Sequence, residues 1–263
     1  MTTTRTVLIT GASAGIGAAF ARHAASEGCD LLLVARRETR LRDLADDLSR
    51  THGIRSEIFA VDLADPDAPG KIVDFVAAND LTIDVLINNA GLSRNTTFAD
   101  TSWSDLGAEI QIMVTAITEL ASSVIPGMRQ RRWGRIINVS SIAALLPPAP
   151  GLLYTAIKRY GFDLSQSLDM ELKPHGIHVT ALCPGFTHTE FHDVMGTREA
   201  AQDIPAFLWS KPETVARAGW KAVMAGNPIC VPGIANKILA ATTRPVPLRF
   251  HPRLAKAFDP FQP

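Results

Sequence analysis

The sequence predicts an α/β protein with a doubly wound parallel sheet of about seven strands, covered by helices in a three-layer α/β/α sandwich. Short apolar runs alternate with helical patterns along the chain, which is the order typical of parallel β-α-β units. The runs are continuously apolar, as in strands that are covered on both faces. Right-handed connections between such units then place helices on both sides of the sheet. No internal repeat or domain-sized linker appears, so we expect a single domain over residues 1–263.

The individual elements follow from these two patterns. The first strand is the apolar run TVLIT, and the second is DLLLVA. The helix between the second and third strands, TRLRDLADDLSRTH, repeats leucines at helical spacing among charges. Strands are predicted at 6–10, 30–35, 55–63, 83–90, 134–141, 176–185 and 228–233. Helices are predicted at 15–27, 39–52, 69–80, 102–125, 152–173 and 212–226, with a short helix after the last strand.

Composition excludes several classes of function. The formal net charge is +0, so there is no electrostatic basis for binding nucleic acid. The three cysteines, at positions 29, 183 and 230, lie far apart, which argues against a zinc site or a disulfide framework and fits a reducing compartment. The N-terminus leads directly into a strand without a signal-peptide pattern, and no run of about 18 apolar residues follows. We therefore expect a cytoplasmic protein with no metal site and no transmembrane segment.

A glycine-rich corner joins the first strand to the first helix. TGASAGIG places glycines at 11, 15 and 17. Glycine lets the backbone turn tightly and approach a pyrophosphate, and the amides of the helix N-terminus attract its charge. Read alone, such a corner is equally consistent with a tight turn.

The end of the second strand indicates which dinucleotide is bound. An acidic residue about 20 residues after the glycines would hold the ribose 2′-hydroxyl of NAD(H), but this chain has Arg36 and Arg37. Two guanidinium groups suit a 2′-phosphate. The alternative is a solvated helix start, although cations there oppose the helix dipole. The sequence therefore favours NADP(H) over NAD(H).

Tyr154 and Lys158 are four residues apart in GLLYTAIKRYGFDL. About one helical turn separates them, so they share a helix face. A positive charge there favours the phenolate and so lowers the pKa of an acid–base tyrosine. Two neighbouring surface side chains would show the same spacing.

Five motifs in order, TGASAGIG, NNAG, NVSS, YTAIK and PG, make residues 5–235 resemble the short-chain dehydrogenase/reductase family. The resemblance implies a Rossmann-type fold, a nicotinamide cofactor and a homodimer or homotetramer. Ser141, Tyr154 and Lys158 match the family's catalytic positions, the competing Ser140 being excluded by the spacing. Tyr154 would be the acid/base, Lys158 would also bind ribose, and Ser141 would hold the substrate oxygen.

Other residues are expected to contact the cofactor at the carboxyl edge of the sheet. Asp62 is predicted to end the third strand and to accept from the adenine amino group beside Leu63, or else to be an ordinary helix N-cap. Thr187 and Thr189 resemble the residues that bind the carboxamide, or are turn hydroxyls. The full predicted cofactor set is Gly11, Ser13, Gly15, Ile16, Gly17, Arg36, Arg37, Asp62, Leu63, Asn89, Ala90, Gly91, Tyr154, Lys158, Pro184, Gly185, Thr187 and Thr189.

One position departs from the family pattern. Many members carry an asparagine in the long helix before the serine strand, where it holds a water linked to the lysine. The stretch EIQIMVTAITEL places Met113 at that position, and a thioether is only a weak acceptor. Gln111 lies about 200° away around an α-helix and should point elsewhere. We expect a rerouted proton relay or slow turnover, unless the match is displaced by one turn.

The substrate end is expected in a lid at 186–210. Its apolar side chains, Phe191, Val194, Met195, Ile204, Phe207, Leu208 and Trp209, favour an apolar ketone or aldehyde over a sugar or hydroxy acid, or else form the loop's own core. His188 and His192 are interpreted as solvated. The tail at 242–263 carries basic residues among apolar ones and would touch a membrane surface, cover a subunit interface or pack on the protein, the last being preferred.

The sequence therefore predicts an NADP(H)-dependent oxidoreductase that interconverts an apolar carbonyl compound and its alcohol. One rival is a nucleotide-binding regulatory protein on the same fold, suggested by Met113. Another is an epimerase or dehydratase that uses the same site.

Overall fold

Seven parallel strands form one sheet within the residues that the computed structural model describes, which are 4–94, 96–147, 153–190, 205 and 208–243. The order across the sheet is β3-β2-β1-β4-β5-β6-β7. The strands are β1 Thr6–Thr10, β2 Asp30–Ala35, β3 Ser56–Ala60, β4 Ile83–Asn88, β5 Gly134–Val139, β6 Ile177–Leu182 and β7 Ile229–Cys230. This is the doubly wound sheet that the sequence predicts.

Helices cover both faces of the sheet. They are α1 Gly15–Ser26, α2 Glu38–His52, α3 Ala68–Ala78, α4 Trp103–Ile110, α5 Ala116–Arg131, α6 Leu153–Leu172, α7 Pro212–Met224 and α8 Ile234–Thr243. A π-helical segment, Gln111–Thr115, joins α4 to α5, and short 3-10 turns lie at Ile142–Leu145 and Lys173–His175. Each matches a predicted helix or connection to within a few residues, apart from the long helix discussed below.

The order of the strands creates a crevice between β1 and β4. The chain runs outward from β1 to β3 and then returns to place β4 on the other side of β1. Ligands of doubly wound sheets bind at such a reversal, beyond the carboxyl ends of the strands. The glycine-rich corner after β1 and the NNAG segment after β4 are therefore neighbours.

The core lies in two layers, one on each face of the sheet. Val7 and Ile9 of β1 belong to the layer that contains α1, α2 and α7. Leu8 belongs to the opposite layer, which contains α3, α5 and α6. Alternate residues of a strand point to opposite faces, so a strand covered on both sides is apolar throughout.

Several strands end earlier than predicted. β3 stops at Ala60, β5 at Val139 and β6 at Leu182, whereas the predicted strands continue to 63, 141 and 185. β7 is reduced to Ile229–Cys230 at the sheet edge. The residues beyond these strand ends form the loops of the site, and some of them, such as Leu63 and Cys183, are buried by tertiary packing without belonging to a strand.

The long helix before β5 is the main local difference. A continuous helix was expected at 102–125, but the π-helical segment interrupts it and α5 extends to Arg131. Apolar periodicity does not distinguish a π-turn from an α-turn, and π-turns occur often at functional sites. The whole helix Trp103–Arg131 is long and apolar enough to cross a bilayer by length and composition alone. Its apolar face includes Met113, Ala116 and Leu120, which pack against the sheet, as in the core helix of many folds.

Candidate active site

Ser141, Tyr154 and Lys158 meet at the carboxyl edge of the sheet. Ser141 lies two residues beyond β5 and caps the following 3-10 turn, its Oγ accepting the Ala143 N–H at 3.1 Å. The Ser141 hydroxyl also hydrogen-bonds the phenol of Tyr154 on α6. The strand end and the helix thus bring together two hydroxyl groups that are separated by thirteen residues in the chain.

Lys158 lies one turn after Tyr154 on the same face of α6. Its Nζ is 5.4 Å from the centre of the Tyr154 ring and donates to the carbonyl of Val139 at 2.9 Å. The side chain is 7% exposed, so its ammonium group is held against the end of β5 away from bulk water.

The pKa values of Tyr154 and Lys158 are both shifted by burial, and the shift of Tyr154 is opposite to the fall expected from the sequence. Burial raises the pKa of Tyr154 to about 12, and the hydrogen bond from Ser141 opposes that rise. Burial also lowers the pKa of Lys158 to about 8. The predicted fall in the Tyr154 pKa is therefore wrong for this structure, because desolvation disfavours the phenolate.

Ser140 and Ser141 have different surroundings. The buried Ser140 hydroxyl donates to the backbone carbonyl of Lys158 at 2.7 Å, which ties β5 to α6. Ser141 instead faces Tyr154. Ser141 as the catalytic serine stays a prediction from the family spacing.

Met113 lies beside Lys158, where the family pattern placed the missing asparagine. A methyl group in place of the Gly91 hydrogen would lie 3.3 Å from Met113 Sδ and 3.4 Å from Lys158 Nζ. Met113 is 3% exposed and lies in the π-helical segment. The angle of about 200° predicted between Gln111 and Met113 assumes an α-helix, and it does not apply to this π-helical segment. The Nε2 of Gln111 is buried and has no hydrogen-bond partner among the described residues.

The glycine corner needs its glycines for backbone reasons. Gly11 and Gly15 have φ of 66° and 54°, a region that side chains disfavour. A Cβ on Gly17 would overlap the Gly11 carbonyl oxygen. The corner is therefore a tight turn against the first turn of α1, with Ser13 and Ile16 between the glycines.

Asn89 braces this corner from the neighbouring strand. Its Nδ2 donates to the carbonyls of Thr10 and Gly11 at 2.9 and 3.2 Å. The Thr10 hydroxyl in turn accepts from the backbone N–H groups of Asn89 and Ala90 at 3.0 and 3.1 Å. The Asn89 side-chain amide therefore donates its hydrogen bonds within the protein. Thr10, which the sequence reasoning missed, completes the link, and only the β1–β4 pairing reveals it.

The predicted arginines lie at the start of α2, together with a third, Arg40. Arg37 donates to Ser13 Oγ from Nε and Nη2 at 3.2 and 3.1 Å, and from Nη1 to Glu190 at 2.8 Å. Arg40 donates to the other oxygen of Glu190 at 2.6 Å. Neither Arg40 nor Glu190 was singled out in the sequence, because their contact joins residues 150 positions apart.

Asp62 and Leu63 lie beyond β3, not at its end. Asp62 accepts the Ala64 N–H at 3.0 Å and pairs with Arg36 at 3.6 Å. The next helix begins at Ala68, so Asp62 is neither a strand-end residue nor the N-cap that was its alternative. Leu63 is buried in the core.

The loop after β6 approaches the glycine corner. A Cβ on Gly185 would overlap the buried Asn236 side chain of α8, and the Pro184 carbonyl accepts from Ile142 at 2.8 Å. Thr187 donates to the Gly185 carbonyl at 3.0 Å. Thr189 packs on Gly15, since a Cβ there would lie 3.0 Å from its methyl carbon.

A buried polar network lies behind the site and was not predicted. Asn88 of β4 donates to Asn138 of β5 at 2.9 Å, and Asn138 donates to Ser165 of α6 at 2.9 Å. Ser165 donates to the Gly161 carbonyl at 2.6 Å. The two asparagines interrupt apolar strands in the sequence, which is the signal that such a network leaves.

A small, shallow cleft lies beside Tyr154. Its polar wall contains Arg94, which pairs with Asp105 at 2.7 Å and lies 3.6 Å from Glu109. Burial raises the pKa of Glu109, against the opposing effect of Arg94. The lining is Ser93, Arg94, Thr96, Phe98, Thr101, Leu106, Glu109, Leu153 and Tyr154.

Much of the predicted substrate end lies outside the described residues. This holds for lid residues 191–204, 206 and 207, including His192, and for the tail from residue 244 onward. Among the described lid residues, the exposed His188 stacks on Trp209 with ring centres 4.6 Å apart.

The reversal point at the glycine corner and the serine–tyrosine–lysine cluster at the same edge define a Rossmann-type oxidoreductase. The family model for short chain dehydrogenase matches residues 5–200. The chain belongs to the short-chain dehydrogenase/reductase family, as its motifs indicated.

Relatives and solved structures agree with this assignment. Serine 3-dehydrogenase from Agrobacterium fabrum is 32% identical over 244 residues, covering 91% of this chain and 88% of that protein. A short-chain dehydrogenase from Sphingobium yanoikuyae in complex with NADPH is 33% identical with a TM-score of 0.81, covering 90% and 92%. The bulky-bulky ketone specific alcohol dehydrogenase from Comamonas testosteroni is 28% identical with a TM-score of 0.77, covering 92% and 93%.

Proposed function

We propose that this oxidoreductase uses NADP(H) to interconvert an apolar ketone or aldehyde and its alcohol, with Tyr154 as acid/base. The observation that carries the proposal is the hydrogen bond between the Ser141 hydroxyl and the Tyr154 phenol, with the Lys158 ammonium group 5.4 Å from the centre of the Tyr154 ring. Three groups of this chemistry can bind a carbonyl oxygen and supply its proton.

The adenosine end fits a 2′-phosphate. Arg37 and Arg40 hold the carboxylate of Glu190, so an anion is already bound at this position. Arg37 also reaches Ser13 in the glycine corner. The NADPH complex of the Sphingobium relative supports the same cofactor. We propose the full predicted cofactor set, with Arg40 added and with Asn89 and Thr10 shaping the corner.

NADP(H), when bound, supplies or accepts the hydride. The protein's own residues handle the proton. In carbonyl reduction the Tyr154 hydroxyl gives its proton to the substrate oxygen while Ser141 holds that oxygen, and in alcohol oxidation the proton returns to Tyr154. A pKa of about 12 keeps Tyr154 protonated at neutral pH, which is the form that reduction requires. The charge of Lys158 stabilises the phenolate that is left.

The substrate assignment has two candidates. An apolar carbonyl compound follows from the predicted lid, and the Comamonas relative is named for bulky ketones. The polar wall that Arg94 and Glu109 form beside Tyr154 favours the second candidate, a small polar hydroxy compound. The Agrobacterium relative is named for serine, which is such a compound.

We further propose one domain over residues 1–263, a cytoplasmic location, and a homodimer or homotetramer. The family assignment supports the oligomer, because members of this family are usually oligomeric. Light scattering coupled to size-exclusion chromatography measures the mass of the protein in solution and so its oligomeric state. A monomer at micromolar concentration would contradict the oligomer.

Loss of NADPH absorbance with a matched panel tests the function. The panel pairs aryl or long-chain ketones with serine-derived and sugar carbonyls, and it is repeated with NADH. Turnover confined to apolar carbonyls supports the first candidate, and turnover confined to polar ones supports the second. Tight NADPH binding without oxidation by any carbonyl would favour the regulatory rival. Product formation without net change in NADPH would favour the epimerase or dehydratase.

A further inference from the structure

Glu190 is not among the site residues predicted from the sequence, but it contacts the arginines near the glycine corner. Its two carboxylate oxygens accept from two different arginines, Arg37 at 2.8 Å and Arg40 at 2.6 Å. Both arginines lie at the start of α2, and Arg37 also donates to Ser13 of the glycine corner. The carboxylate therefore bridges the cations that the proposed function assigns to the 2′-phosphate.

The charge pattern explains why an anion is held here. Arg36, Arg37 and Arg40 crowd cations onto the N-terminal end of α2, where the helix dipole is also positive. Arg36 is paired with Asp62, whereas Arg37 and Arg40 share Glu190. The hydrogen bonds from Arg37 and then Arg40 lower the pKa of Glu190, so the carboxylate stays ionised at neutral pH.

Glu190 reaches this position from the other half of the sheet. It follows Thr189, which packs on Gly15, and Thr187, which is held by the Gly185 carbonyl. The segment 187–190 thus crosses the glycine corner and delivers a carboxylate to its far side. The same segment contains the threonines predicted to contact the nicotinamide end.

We infer that Glu190 competes with the 2′-phosphate of NADP(H) for Arg37 and Arg40 and thereby sets the strength of cofactor discrimination. This rests on the proposed NADP(H) specificity. A phosphate and a carboxylate both accept charge-assisted hydrogen bonds from guanidinium groups, and the two arginines cannot give the same donors to both. Binding of NADP(H) then requires the carboxylate to move, whereas NAD(H), which has no 2′-phosphate, leaves it in place.

The ion pairs are weak enough to be displaced. The side chains of Glu190, Arg37 and Arg40 are 47%, 44% and 50% exposed. Solvent screening limits exposed pairs, so removing the two competing contacts should tighten NADPH binding by about 2- to 30-fold.

Isothermal titration with NADPH and with NADH tests the inference. Glu190→Gln keeps the size of the side chain and removes its charge; we expect a lower Kd for NADPH and an unchanged Kd for NADH. Arg40→Gln should weaken NADPH binding without affecting NADH. The matched control is Asp47→Asn, which removes an exposed carboxylate that pairs with Arg50 at 2.8 Å at the other end of α2.

The outcomes separate this inference from the proposed function. An unchanged or higher Kd for NADPH in Glu190→Gln, or an equal change for NADH, overturns the competition. Arg37→Gln tests the cofactor proposal itself. Weaker NADPH binding in Arg37→Gln with no effect of Glu190→Gln would leave the NADP(H) preference standing and remove the role of Glu190. No effect of Arg37→Gln would remove the preference.

Discussion

The ammonium group of Lys158 lies 5.4 Å from the centre of the Tyr154 ring while its Nζ donates to the Val139 carbonyl. Both side chains are removed from water at this site, and this desolvation raises the pKa of Tyr154 to about 12 and lowers the pKa of Lys158 to about 8. Both residues are thus biased toward their neutral forms. Desolvation therefore keeps the Tyr154 phenol protonated, which is the form that the proposed carbonyl reduction uses.

Replacing Tyr154 by phenylalanine should remove the acid without emptying the site. We expect kcat for NADPH-dependent reduction to fall by about 10²- to 10⁴-fold, with NADPH affinity nearly unchanged in a binding titration. The control is Tyr160→Phe, which removes the other tyrosine hydroxyl, bonded to Thr118 at 2.7 Å. Equal kcat values for the two variants would contradict the role of Tyr154.

The buried charge of Lys158 should lower the free energy of unfolding of the native protein. Its pKa of about 8 lies below the ordinary 10.5, so the folded state loses the proton before the unfolded state does. Below pH 8 both states carry the charge and the burial cost is complete, on the order of 3 kcal/mol. As pH rises from 8 to 10.5 the unfolded state binds more protons, and the stability of the native protein rises.

Lys158→Met should therefore be inactive but more stable at pH 7, and its advantage in Tm should shrink by pH 9.5. Thermal unfolding at the two pH values measures this. Lys221→Met, at an exposed position, is the control and should show no such pH-dependent advantage. A Lys158→Met protein less stable than the native one at pH 7 would show that the hydrogen bond to Val139 outweighs the desolvation of the charge.

Met113 beside Lys158 should limit proton supply. Met113→Asn is expected to raise the rate of the reductive step several-fold or to shift its pH profile, because an amide can hold a water where a thioether cannot. The buried amide should also cost about 1–3 kcal/mol of stability. Met113→Leu keeps the apolar volume and serves as the control. If the asparagine and leucine variants share one rate and one pH profile, the position does not limit proton supply.

The two adjacent serines should separate catalysis from stability. Ser141→Ala removes the hydroxyl that faces Tyr154 and should lower kcat by about 10²- to 10³-fold. Ser140→Ala removes a buried hydrogen bond to Lys158 and should cost about 1–3 kcal/mol in a denaturant titration with a smaller effect on kcat. The opposite pattern would exchange the two assignments.

The sequence predicted most of the fold because its determinants are local. Apolar runs and helical periodicity give the order of strands and helices, since the central strands β1, β2, β4, β5 and β6 are mostly buried and helices such as α2 bury one face. It missed the π-turn at Gln111–Thr115 and overextended β3, β5 and β6. Residues such as Leu63, Ser140 and Cys183 are buried by tertiary packing beyond the strand ends, so the residue pattern alone cannot mark where strand pairing stops.

The sequence by itself determined the glycine corner, the arginines after β2 and the spacing of Ser141, Tyr154 and Lys158, because each depends on backbone geometry over a few residues. Only the tertiary structure decided what surrounds them. Thr10 meets Asn89 because β1 pairs with β4, and Glu190 reaches Arg37 across 153 positions of chain. Burial, which sets both pKa values at the site, likewise arises from elements distant in sequence. Contacts of this kind depend on the order of the strands across the sheet, and local residue patterns do not specify that order.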